Sequence, residues 1–115
     1  MANPVVHFEI GAADHQSLVK FYGELFGWGL REVSEGYTLI DTRGGGGLNG
    51  GIGAGGAERW ATVYAGVGGV EATLARAEAL GGTRVYGPIQ AGEHMRTGAF
   101  RDPAGSVLGV YHRES

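Results

Sequence analysis

Few residues in this 115-residue chain carry obvious chemistry, and two of them stand together near its start. His7 and Glu9 lie in Val5-Val6-His7-Phe8-Glu9-Ile10, a run rich in β-branched and aromatic residues that reads as a strand. Side chains two apart on a strand share a face, so this imidazole and this carboxylate point the same way. Within contact distance each favours the charged form of the other, which suits proton transfer near neutral pH. A carboxylate on an inward strand face must be paired, hydrated or used, because burying it alone is costly. The plainer alternatives are a structural ion pair and, for His7, a hydrogen-bonded histidine on a half-buried strand. Trp60, Thr62 and Tyr64 alternate along a second strand-like run. The two rings could stack on an aromatic ligand, or belong to the core or to a subunit contact. His15, just after a helix cap, and His112, near the last residue, read as exposed.

Other chemistries lack their residues. With no cysteine there is neither a thiolate nor a disulfide frame, and no Ser-His-Asp signature is visible. Gly51-Ile52-Gly53-Ala54-Gly55-Gly56 formally satisfies G-x-G-x-x-G. A dinucleotide fingerprint needs a helix after it, however, and residues 60–67 read as a strand. No Gly-Lys-Ser/Thr follows any glycine run, so there is no P-loop. Glycine is the compositional outlier, with 24 residues crowded most densely between Gly44 and Gly56. That tract predicts a mobile loop near residues 44–47 and a weak strand bordering the site. A net charge of −3 and a single lysine, Lys20, argue against nucleic acid. No apolar run approaches the roughly 20 residues of a membrane span, which argues against a membrane partner. The absence of a signal peptide and of cysteine points to a cytoplasmic location.

The elements that must position these residues follow from punctuation. Asp14 is an N-cap, and Leu18, Phe21, Tyr22 and Leu25 recur at helical spacing up to Gly27, the αL residue that ends such a helix. Strands are expected over residues 28–33 and 37–42. The plan then repeats: a strand over 60–67, then a helix with Val70, Leu74, Ala77 and Leu80 on one face. That helix stops at Gly81-Gly82, and a short strand follows over 83–86. A hairpin closes the chain, over 94–100 and 106–112, about the type I turn of Asp102-Pro103-Ala104-Gly105. Sliding the chain on itself so that Asp14 falls on Gly69 also lays Leu25 on Leu80 and Gly27 on Gly82. Two β-α-β-β-β units result, an α+β fold on one domain spanning residues 1–115, with modules at about 4–56 and 58–113.

This duplicated plan, with His7-Phe8-Glu9-Ile10, Phe21-Tyr22, Leu25-Phe26-Gly27-Trp28, Ala79-Leu80-Gly81-Gly82 and Phe100-Arg101-Asp102-Pro103-Ala104-Gly105, resembles the vicinal-oxygen-chelate superfamily of glyoxalases, bleomycin-resistance proteins and dioxygenases. It is most similar to short glyoxalase-like proteins that begin with a His-Phe-Glu-Ile strand. The resemblance covers nearly the whole chain and implies curved mixed sheets enclosing a small-molecule cavity. In the family's metal enzymes four ligands enter that cavity, and His7 occupies the first position. The other three fall on the carboxylate-free stretch Leu48–Ile52, on Thr62 and on Gly109. One imidazole makes a weak, non-selective site. No cofactor is therefore expected, with a divalent metal as the alternative through a displaced His7/Glu9/His94 set.

If Gly109 faces the cavity, pairing the last hairpin symmetrically about its turn sets Gly98 against Gly109 and Arg96 against Tyr111. His94, Arg96 and Tyr111 would then face inward and His112 outward. Arg96 and Tyr111 would suit an anionic or carbonyl-bearing ligand, unless Arg96 is simply a solvated strand residue. The expected function is binding of a small organic molecule, by sequestration or with metal-independent chemistry at His7 and Glu9. Trp60, Thr62, Tyr64, His94, Arg96 and Tyr111 are the expected ligand contacts. The alternative is a metal-dependent lyase, isomerase or dioxygenase using His7 and Glu9. The resemblance also implies a homodimer.

Overall fold

The computed structural model describes residues 2–43, 47–54 and 59–114. Among these the elements run β1 (Val5–Gly11), α1 (His15–Phe26), β2 (Gly29–Ser34), β3 (Tyr37–Asp41), β4 (Gly50–Gly53), β5 (Trp60–Gly66), α2 (Val70–Ala79), β6 (Thr83–Gln90), β7 (Met95–Arg101) and β8 (Val107–Arg113). This is an α+β fold made of a βαβββ module written twice. The chain packs as two compact units, residues 6–62 and residues 63–115 together with 1–5. No helix among the described residues is long and apolar enough to cross a membrane.

In the first unit the strand order is β2-β3-β4-β1, with β4 parallel to β1 and antiparallel to β3. The glycine strand is therefore interior and wholly buried, which a reading of glycine as a strand-weakening residue does not suggest. The mobile loop expected at residues 44–47 falls mostly outside the described residues. Helix α1 starts where the Asp14 carboxylate accepts the Ser17 N–H at 3.2 Å. It stops at Gly27, φ 69°, whose N–H donates to the Gly23 carbonyl at 3.0 Å.

Apolar spacing alone misplaces the inward face of α1. Phe21 and Leu25 are 57% and 58% exposed, whereas His15, expected at the surface, is 5% exposed. The Nε2 of His15 hydrogen-bonds Thr38 Oγ1 at 2.9 Å, which satisfies a polar group on the buried stripe and fixes the helix rotation. Gly23 completes that stripe, because a Cβ there would sit 2.8 Å from Leu30 Cδ1. Under the helix, Ile40 and Ile52 are 2% and 0% exposed.

In the second unit the order is β5-β8-β7-β6, with β5 parallel to β8 and the other pairs antiparallel. Val70 and Leu74 of α2 pack with Val67 and Val110 against Phe100, as their helical period predicts. Strand β6 runs beyond the expected 83–86. Its register breaks on either side of Tyr86, and Pro88 is accommodated in the irregular outer strand.

The closing hairpin corrects the expected register. Asp102 does open a type I turn, with the Gly105 N–H donating to its carbonyl at 2.9 Å. Gly105, however, adopts φ 99° and becomes a bulge, so Asp102 N–H pairs with the Ser106 carbonyl at 2.9 Å. A two-residue type I turn would splay the strands, and the added left-handed glycine restores their twist. Every pair shifts by one residue: Phe100 faces Leu108, Gly98 faces Val110, and Arg96 faces His112 rather than Tyr111.

Candidate functional site

The face of the first unit away from α1 collects the chemistry. Alternation along β1 places His7, Glu9 and Gly11 there, and the register adds Gly51, Gly53, Tyr37, Leu39 and Arg31 to the same face. The glycines leave room for large side chains from neighbouring strands. A Cβ on Gly51 would fall within the Tyr37 phenol, and one on Gly11 within the Trp60 ring. Tyr37 uses this space to reach β1.

The phenol lies between the two residues singled out from spacing. Tyr37 Oη donates to Glu9 Oε2 at 3.1 Å and lies 3.2 Å from His7 Nε2. His7 and Glu9 themselves are 4.0 Å apart, beyond hydrogen-bond reach, so the phenol bridges them. A single hydroxyl proton committed to Glu9 leaves the phenol oxygen to accept, which assigns the His7 Nε2 proton to it. The chain reads His7 Nε2–H to Tyr37 O–H to Glu9 carboxylate. Both end groups are mostly buried, with side chains 26% and 18% exposed.

Burial sets the charge of His7. Desolvation lowers its pKa from 6.5, and the upward pull of Glu9 does not overcome it. The stabilisation of a charged His7 by Glu9 expected from sequence is thus outweighed, and His7 is neutral at pH 7. A neutral imidazole can serve as a base or hydrogen-bonding group at a ligand.

A cleft of about 460 Å³ opens beside His7 on this face, lined also by Arg31, Leu39, Asp41, Arg43 and Asn49. That volume is within the range of small-molecule sites. Tyr37, Arg31 and Arg43 escaped the sequence reading because their placement depends on strand pairing. The open positions on β4 were the available signal.

The remaining expected residues divide between the two units. The Trp60 ring packs over Gly11 and Gly53, and Thr62 is half-buried. In the second unit the Tyr64 ring fills the space over Gly109, and its hydroxyl lies 3.1 Å from Tyr86 Oη. Tyr111 shares that face and accepts the Arg113 Nε–H at 3.0 Å. Arg96 lies on the opposite side of the sheet, across from His112, and binds Glu114 Oε1 at 3.2 Å. His94 is exposed just before β7. The bulge thus separates Arg96 and Tyr111, which symmetric pairing had placed together. His112 is half-buried rather than exposed, its Nδ1 hydrogen-bonding the Val67 carbonyl at 2.8 Å.

The family model of the glyoxalase-like domain matches residues 6–111. The chain belongs to the glyoxalase-like family, and so to the vicinal-oxygen-chelate superfamily. Solved structures share this fold at low identity. Methylmalonyl-CoA epimerase from Mycobacterium tuberculosis is 16% identical over 96% of this chain and 88% of its own, with a TM-score of 0.65. The Mn(II)-bound glyoxalase from Novosphingobium aromaticivorans is 18% identical over 96% of this chain and 38% of its own, with a TM-score of 0.66. A Streptomyces coelicolor methylmalonyl-CoA epimerase in complex with 2-nitronate-propionyl-CoA is 18% identical over 100% of both chains, with a TM-score of 0.67. No curated protein sequence matches the chain.

Within the glyoxalase-like fold the usual metal positions are poorly furnished here. Strand β4 offers no carboxylate, the position that the resemblance gives to a histidine holds Thr62, and the Tyr64 ring takes the space above Gly109. Among the described residues no three His, Cys, Asp or Glu side chains converge. Among the described residues, the donor set expected of a four-ligand metal site is not gathered.

Proposed function

We propose that this glyoxalase-like protein binds a small polar organic molecule in the first-unit cleft, with His7 as the reactive or recognising group and Tyr37 and Glu9 positioning it. The observation that carries this reading is a ligand-sized cleft whose wall includes His7, the end of the His7–Tyr37–Glu9 hydrogen-bond chain. A neutral His7 can accept a proton, such as one on the carbon beside a carbonyl, or a hydrogen bond from the hydroxyl of a bound acid or alcohol. The phenol and Glu9 hold its ring and offset the charge that protonation would create. The same geometry serves a binding protein, in which affinity alone is the outcome, so catalysis is decided by turnover and not by the cleft.

Titration with small ketones, aldehydes and carboxylic acids, followed by the His7 ring protons and the Leu39 and Asn49 amides, tests the proposal. Saturable shifts confined to these residues are expected. Shifts that are absent, or that fall elsewhere, overturn it. Metal analysis of the purified protein should give far less than one equivalent. A near-stoichiometric divalent ion lost in His7→Ala would contradict the metal-free reading.

A further inference from the structure

The far end of the same cleft differs in chemistry from the His7 end. Arg43 adopts φ 60°, uncommon outside glycine, and its N–H is held by Asp41 Oδ1 at 2.9 Å. This turns the side chain back across Gly29: a Cβ on Gly29 would lie 2.8 Å from Arg43 Nη2 and 2.9 Å from its Nε. Gly29 thus makes the seat of a guanidinium. Arg31, two residues along β2, shares the face of Gly29 and lines the same cleft.

Two other arginines are held by carboxylates. Arg84 binds Glu71 and Glu78, and Arg96 binds Glu114. Among the described residues no carboxylate forms an ion pair with Arg31 or Arg43. Asp41 adds one negative charge to the cleft, but its Oδ1 is taken up by the Arg43 N–H. Asn49 Oδ1 accepts from Thr42 N–H at 3.0 Å, which leaves its Nδ2 as a donor. The end of the cleft is therefore rich in donors and positive.

We infer that Arg31 and Arg43 form an anion subsite that takes the carboxylate or phosphate end of an elongated ligand whose other end meets His7. This rests on the proposed binding function and narrows its substrate class to organic acids or phosphate esters. Guanidinium forks match both oxyanions. Strands β1 and β2 are separated by β4 and β3, which sets their backbones roughly 14 Å apart. Side chains reaching in from both ends shorten the span to that of a small linear acid.

NMR titrations with adipate, its neutral counterpart adipamide, and inorganic phosphate test the inference, read at the Arg31 and Arg43 Nε–H signals and at the His7 ring. Adipate should shift both arginine signals saturably, and Arg31→Gln and Arg43→Gln should each weaken it about tenfold, or about 1.4 kcal/mol. Adipamide should leave the arginine signals in place. A response to phosphate that matches or exceeds adipate assigns the subsite to phosphoryl groups, and the reverse to carboxylates. Equal affinity of adipate and adipamide, or unchanged affinity in both variants, refutes the anion subsite. If His7 still responds in that case, the cleft reading survives and only the subsite fails. If neither end responds to any probe, both fail.

Discussion

Replacing Gly51 by alanine asks whether the glycine strand exists to seat Tyr37. Gly51 pairs with Glu9 on one side and Leu39 on the other, so its backbone is held in an interior strand. The three atoms nearest an added Cβ all belong to Tyr37: Oη, Cζ and Cε2, the last at 3.0 Å. Since the strand cannot retreat, the phenol must leave and its links to His7 and Glu9 break. Overpacking costs about 1–3 kcal/mol and the hydrogen bonds about 1 kcal/mol in a partly exposed site, together roughly 2–4 kcal/mol. In a Tyr37→Ala background the obstruction is gone. There Gly51→Ala should stabilise by about 0.5–1 kcal/mol, because alanine has less strand-ordering entropy to lose than glycine. Urea unfolding of the four proteins in this double-mutant cycle measures both numbers, with unchanged m-values confirming a common denatured state. Equal effects of Gly51→Ala in the two backgrounds, within about 0.5 kcal/mol, would refute the account of the strand.

Further outcomes follow from the same geometry. Glu9→Gln removes the upward influence on His7 and leaves burial in charge, so the His7 pKa, read by NMR titration, should fall further; a rise would contradict the assigned causes. Because the folded pKa of His7 lies below its unfolded value of 6.5, the unfolded chain binds the proton first, and stability should decline as pH falls below about 6.5. His7→Gln should flatten that part of the stability-versus-pH curve, and an unchanged slope would count against it. Thr38→Val leaves the buried His15 Nε2 without its partner and should destabilise by about 1–3 kcal/mol in thermal or urea unfolding. Gly105→Ala, at φ 99°, should cost about 1–2 kcal/mol, whereas a symmetric two-residue turn would tolerate it.

How far the sequence reveals this molecule depends on the range of the interaction involved. Asp14, Gly27 and Gly81 act on their own neighbours, and the boundaries they mark agree with the structure to within a residue or two. The His7/Glu9 face was legible because side-chain alternation is intrinsic to one strand. Tyr37 was not, since its place between them requires β3 to pair with β4, β4 with β1, and a glycine to lie beneath the ring. His15 escaped because apolar periodicity is blind to a polar residue that finds a buried partner. The Arg96–Tyr111 pairing failed through one local event, the Gly105 bulge, which moved alternate residues of a whole strand to the other face.

A crystal structure of the protein with 6-hydroxyhexanoate, whose hydroxyl can donate to His7 and whose carboxylate suits the arginine end, tests the central claim most directly. The account predicts the ligand in the first-unit cleft, within hydrogen-bond distance of His7, with the Tyr37 phenol still bridging His7 to Glu9. A ligand bound outside this cleft, or a metal ion held by His7 and Glu9 with Tyr37 displaced, would contradict it.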